Sequence, residues 1–151
     1  MRIVHDWLGL LELPDSAQRI VSLAPNATET LYALGLGSRV VGRSAFCYRP
    51  AATLSLPVVS SYTRVRWDLL RTLNPDLVLI STGVQRDLLN ELHEAGLPVF
   101  PLPLPSSPYG ILENIVLLGG LLGAQVQANR LCADLSERYS KLYGLLPPMR
   151  V

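Results

Sequence analysis

Apolar residues along this chain fall into short runs divided by glycine, proline and asparagine. Ile20 to Leu23, Val40 to Gly42, Pro57 to Val59, Leu77 to Ile80 and Pro98 to Leu102 are such runs, nearly all apolar with no alternation. Runs of that kind are strands covered on both faces. Between them the spacing turns helical. Ala27, Leu31 and Leu34 repeat at i, i+4, i+7 after Pro25, Trp67 to Leu73 is a second segment, and Arg86 to Ala95 a third with Leu88, Leu89 and Leu92 inward. Gly35 and Gly96 stop the first and third, and Asn74-Pro75 stops the second, because a proline biases the residue before it away from helical geometry. Asn26 with Glu29 three residues on is a capping-box pattern. Pro101, Pro103, Pro105 and Pro108 carry the chain out of the sheet after the last strand, since proline donates nothing to a ladder.

Two helical segments close the chain. Ile111 to Ala124 is the most apolar stretch, yet Glu113, Asn114 and three glycines interrupt it, and it falls short of the ~20 residues of a membrane span. It reads as a buried helix. From Gln125 to about Leu146 the residues Ala128, Cys132, Leu135, Tyr139, Leu142 and Leu146 hold a stripe, with Arg130–Asp134 and Glu137–Lys141 as i, i+4 pairs on the wet side. This helix of roughly 20 residues, about 30 Å at 1.5 Å per residue, then meets Pro147-Pro148.

Strand-helix alternation with doubly covered strands predicts an α/β fold, a doubly wound Rossmann-like parallel sheet of about four to five strands flanked by helices and followed by a long C-terminal helix. Ligands of such folds bind at the carboxyl ends of the strands. Here those loops are Ala24 to Asn26, Arg43 to Pro50, Ser60 to Thr63 and Ser81 to Gln85, rich in Ser, Thr, Asn, Tyr and Gly. They offer hydrogen bonds, flat rings and close backbone approach.

The composition fits one globular domain: 151 residues, 49% hydrophobic and 17% charged, with a net charge of +1. Scattered basic residues give no footprint for nucleic acid and no polybasic run for a membrane surface. Cys47 and Cys132 are far apart and outside CxxC spacing, so they are either free thiols or one bridge. The opening residues lack the roughly 7–15-residue apolar core of a signal peptide, and a chain as written would stay in the cytoplasm. His5 and His93 stand alone, which predicts no metal cluster, and Gly35-Leu36-Gly37 follows a helix and reads as a turn. The strand-end loops hold no nucleophile elbow, no Cys–His pair and no carboxylate pair, so no enzyme and no cofactor are expected.

Several stretches together resemble one family. "IVHDWLGLLELP", "RIVSLAPNATETLYALGLGSRVVG", "LNPDLVLI", "LHEAGLPVFPL" and the long helix are similar to the ABC-transporter substrate-binding proteins whose two α/β lobes are joined by one long helix, the group that binds cobalamin, ferric siderophores and haem. The resemblance divides the chain into an N-terminal hairpin (1–18), an α/β ligand-binding lobe (19–122), a connector helix (123–148) and the start of a second lobe (149–151). It implies a receptor for a metal chelate that brings its own metal, periplasmic or lipid-anchored outside the cell in most members. Pro25 and Asn26 match the turn that lines the ligand in cobalamin receptors, and Tyr62 falls where they place a ring against the corrin. Asp68 matches an acidic position that docks to the permease, and it is equally suited to the first turn of a helix. "AFCYRP" departs from the family's Asp-Tyr-Pro, with Tyr48 one position early and Arg49 in the tyrosine's place. With these, Ala27, Ser61, Gly83 and Val84 complete the expected ligand set. The rival expectation is an intracellular interaction or regulatory module on the same fold, dimerising through surfaces that a second lobe would cover.

Overall fold

The computed structural model describes residues 1–5, 8–61, 64–83 and 85–143. Tyr62, Val84, Leu146, Pro147-Pro148 and the expected start of a second lobe at 149–151 lie outside the described residues. A hairpin comes first: β1 (Arg2–His5) and β2 (Gly9–Glu12) pair antiparallel, Arg2 opposite Glu12. Leu11 and the following Leu13 are buried in the main core, while Val4 and Leu10 face out.

The body alternates as the pattern predicts. Its strands are β3 (Ile20–Ser22), β4 (Val40–Ser44), β5 (Val58–Ser60), β6 (Leu77–Ser81) and β7 (Val99–Leu102). All pair in parallel, in the order β5-β4-β3-β6-β7. The helices are α1 (Pro25–Ala33), α2 (Trp67–Leu73), α3 (Arg86–Glu94), α4 (Pro108–Leu121) and α5 (Gln125–Tyr143). From β3 the chain first builds outward through β4 and β5, then crosses to β6 and β7 on the other side, which puts the topological switch at the end of β3.

The strands β3, β4, β6 and β7 alternate between two cores although almost every residue is apolar, while β5 gives only Val59 to the second. Ile20, Leu77, Leu79, Phe100 and Leu102 pack with α1, α4 and the hairpin. Val21, Leu23, Val78, Ile80 and Val99 pack with Leu70 of α2 and Leu88, Leu89 and Leu92 of α3. Helices on both sides are why the strands carry no polar stripe. Pro101 remains inside β7 opposite Ile80, tolerated because β7 is an edge strand.

Three local expectations are corrected. The Asn26–Glu29 capping box does not form: Ala24 is the N-cap and Pro25 the first helical residue, which leaves Asn26 inside the first turn. The corner is held by Thr28 instead, whose Oγ1 lies 2.7 Å from Ser22 Oγ and 3.1 Å from the Ala24 carbonyl, all buried. The Ile111–Ala124 stretch is only half buried. Asn114, Ile115, Leu118 and Leu121 face inward, while Ile111, Val116 and Leu117 are exposed. The helix lies on the outside of its layer, and α1 and α5 cover only the sides they touch. On α5, Glu137 pairs with Lys141 (2.6 Å) as expected, but Asp134 pairs with Arg138 (3.0 Å) in place of Arg130.

The α4–α5 contact is close. A Cβ added at Gly119 would stand 2.4 Å from the Cβ of Ala128, so only glycine allows the approach. Beyond Ala128 the long helix is half-buried at Leu131, Cys132, Leu135 and Tyr139 and otherwise exposed.

Candidate ligand-binding rim

The four strands β3 to β6 all end on serine, namely Ser22, Ser44, Ser60 and Ser81. They form a row along the carboxyl edge of the sheet. Ser22 is satisfied by Thr28, and Ser44 Oγ lies 3.1 Å from Cys47 Sγ. Ser60 Oγ and Ser81 Oγ are buried with no partner among the described residues, as is Nε of Arg43, one residue before Ser44. Such groups cost about 1–3 kcal/mol each when left unpaired, and here they gather at one edge.

Over the switch point the rim closes into a cavity of about 370 Å³ between the β3–α1 and β6–α3 turns, walled on the third side by the chain leaving β7. Pro25 and Asn26 form one side, Ser81, Thr82 and Gln85 the opposite one, with Leu23, Phe46 and Leu104 supplying apolar surface. Pro25 has no N–H and the Thr28 N–H is bound to Ala24 O, which leaves the Asn26 and Ala27 amides in the first turn of α1 without a partner among the described residues. A second cavity of about 310 Å³ adjoins the first across Asn26 and is lined by Ala27, Glu29 and Asn114 among others. Asn114 is fixed by donating to the Pro103 carbonyl at 2.8 Å.

The expected residues divide between the cavity and its surroundings. Pro25 and Asn26 line the first cavity, and Ala27 lines the second. Gly83 sits in the β6–α3 turn, exposed at φ +93, a left-handed conformation that favours glycine. Tyr48 and Arg49 lie in the β4–β5 loop, exposed, with the guanidinium 5.7 Å from the tyrosine ring, and neither lines the cavities described. Ser61 is exposed at the end of β5, where its N–H donates to the Arg64 carbonyl (2.9 Å). Tyr62 and Val84 fall outside the described residues. Asp68 occupies the first turn of α2, exposed, and its carbonyl accepts from Thr72 Oγ1 at 2.8 Å.

Phe46, Ser81, Thr82, Gln85 and Leu104 were missing from the expected set. Two signals point to Ser81 and Gln85: β3 to β6 each stop on serine, and Gln85 continues the buried stripe of Leu88, Leu89 and Leu92, so a polar residue stands where the helix is apolar; no sequence signal marks Phe46, Thr82 or Leu104.

Cys47 and Cys132 are free thiols. Cys47 is 1% exposed and anchors the β4–β5 loop, its Sγ reaching the Ser22 carbonyl at 3.5 Å and its own carbonyl accepting from Thr53 Oγ1 at 3.0 Å. Cys132 is on α5, where burial pushes its thiol pKa up. Among the described residues, no three His, Cys, Asp or Glu side chains are placed to hold a metal ion, and no helix is long and apolar enough to cross a membrane.

The sequence profile of a family described as periplasmic binding protein matches residues 20–143. The chain belongs to that family. The match takes in the sheet, the rim and nearly all of α5. A vitamin B12-binding protein of Yersinia pestis is 38% identical over 96 residues, 62% of this chain and 34% of that protein. Among solved structures, the periplasmic vitamin B12 binding protein BtuF of Vibrio cholerae superposes with a TM-score of 0.75 at 29% identity, covering 85% of this chain and 51% of that one. A periplasmic heme binding protein from Pseudomonas aeruginosa gives 0.75 at 27% identity, covering 83% and 45%. The chain thus spans about a third to a half of the length of the relatives it matches. These relatives are named as binding proteins, and the two solved structures and the family are named periplasmic, which gives the cytoplasmic expectation no support.

Proposed function

We propose that this periplasmic binding protein chain captures cobalamin or a related metal chelate at its carboxyl rim, as one lobe and connector of a receptor that delivers its ligand to an ABC permease. The observation that carries the reading is the largely apolar-walled cavity at the switch point, built on the Pro25-Asn26 turn in a chain that over 96 residues is 38% identical to a vitamin B12-binding protein. With no metal-holding cluster among the described residues, the ligand would bring its metal already chelated. Haem and ferric siderophores belong to the same chemical class and are the alternatives to cobalamin. The reading places Pro25, Asn26, Ala27, Tyr48, Arg49, Ser61, Tyr62, Gly83 and Val84 around the ligand, Asp68 against the permease, and the protein outside the cytoplasm.

A rim of this kind binds by area. Roughly 100 Å² of macrocycle covered by one lobe contributes ~2.5 kcal/mol at 25 cal/mol per Å², so a single lobe holds its ligand weakly. Calorimetric titration with cyanocobalamin, haem and a ferric siderophore tests the reading: heat from one of the three is expected, and silence from all three overturns it.

One observation favours a second reading. Tyr109, Ile111, Val116, Leu117 and Leu142 leave an exposed apolar strip along α4 and α5, and strips of this kind mark interaction surfaces. A compact dimer in sedimentation velocity, unchanged by any of the three chelates, would favour an interaction module.

A further inference from the structure

We infer that the carboxyl edge of β4 and β5 holds a carboxylate, bound between the Arg43 guanidinium and the Ser60 hydroxyl. The inference goes beyond the receptor reading above, since neither residue lines the two cavities described.

Arg43 is 7% exposed, yet no carboxylate pairs with it among the described residues. Its Nη1 donates to the Ser44 carbonyl at 3.1 Å, the one hydrogen bond this side chain makes among the described residues. Nε is sealed from water without a partner. Nη2 also lacks a partner but is not sealed, so this edge of the guanidinium opens outward at Nη2 and deepens toward Nε. Ladder register places Ser60 on the same side. Arg43 stands opposite Ser22 and Val58. Their chain neighbours Val21 and Val59 both face the core of α2 and α3, so Ser22, Arg43, Val58 and then Ser60 face the other way. Ser60 is 1% exposed, and its Oγ is likewise sealed without a partner.

An arginine cannot shed its proton to escape burial, and a buried charge without a counter-charge is costly. Nε and Nη2 present two parallel N–H groups on one edge, the fork that a carboxylate accepts with both oxygens. The Ser60 hydroxyl adds a third donor from the neighbouring strand. A neutral acceptor would satisfy hydrogen bonds there but leave the guanidinium uncompensated. A phosphate would bring a second charge that one guanidinium does not match. The buried fork therefore specifies a single carboxylate, carried on an arm of a bound ligand or present as a free anion.

The test titrates the whole chain with acetate, acetamide and inorganic phosphate at neutral pH and constant ionic strength, following the Arg43 Nε–H resonance by NMR. Acetate is expected to shift that resonance with roughly tenfold higher affinity than acetamide and roughly threefold higher than phosphate. No acetate shift, an equal response to acetamide, or a stronger response to phosphate overturns the inference. Acetate should also raise Tm, because it binds the folded chain. Arg43→Met should abolish that rise while unfolding near the wild-type temperature in acetate-free buffer, since the buried charge is gone. A large loss of Tm in Arg43→Met, with a wild-type Tm indifferent to acetate, would assign Arg43 to packing alone and overturn the site. Ser60→Ala leaves the guanidinium in place and should weaken acetate roughly threefold; an unchanged affinity overturns the pairing of the two residues. Haem, a chelate with two carboxylates, separates the sources. Displacement of acetate by haem puts the carboxylate on the ligand, and an acetate response undiminished by haem puts a free anion at Arg43.

Discussion

The two halves of the carboxyl rim are built differently. Over β3, β6 and β7 the turns are short and backed directly by both cores, and they enclose a cavity whose floor is the switch point of the sheet. Over β4 and β5 the connections are longer loops that carry Tyr48, Arg49 and Ser61 into solvent, pinned from below by Cys47 and Thr53. Order along this edge thus comes from how little chain separates a turn from its strand.

Substitutions should separate the halves by size of effect. Leu23→Ala removes a side chain 1% exposed beneath the cavity and should cost about 2–5 kcal/mol in urea unfolding; a loss under about 1 kcal/mol would mean that the core does not hold the walled half in place. Thr28→Val takes away the hydroxyl shared by Ser22 and Ala24 at the strand-helix corner, and a cost of about 1–2 kcal/mol is expected in the same assay. Phe46 bridges the two halves, since the residue is 47% exposed yet lines the cavity, and Phe46→Ala tests that bridge. Its stability should change by less than about 1 kcal/mol, while affinity for whichever chelate gives heat drops about tenfold, some 1.4 kcal/mol of lost contact. An unchanged affinity would remove Phe46 from the site. Tyr48→Ala, at 55% exposure in the open half, should move stability by no more than about 0.5 kcal/mol; a larger loss would show that the open loop is as tightly packed as the walled one.

Much of this architecture was legible from residue order alone. The five strands of the parallel sheet, the stops at Gly35, Asn74 and Gly96, the start of α5 and the gathering of strand-end loops at one edge follow from period, punctuation and the covering of both sheet faces. These are local signals, and local signals survive folding when neighbours agree with them. The same reasoning explains the failures at Asn26 and α4. A capping box is one of several ways to satisfy the first turn, and the buried Ser22–Thr28 pair, six residues apart, supplies another. An all-apolar helix is buried only if something lies on each side of it, and its position in the layer leaves Val116 and Leu117 uncovered.

Periodicity therefore specified which residues form strands and helices and which edge of the sheet carries the turns. Folding in three dimensions decided which turn residues share a cavity: Phe46 and Gln85 are 39 positions apart, and only the crossing from β4 through β3 to β6 brings them to one wall. The physical reason is that hydrophobic pattern reports the face a residue presents, whereas a pocket depends on which faces of distant segments meet and on the space left between them.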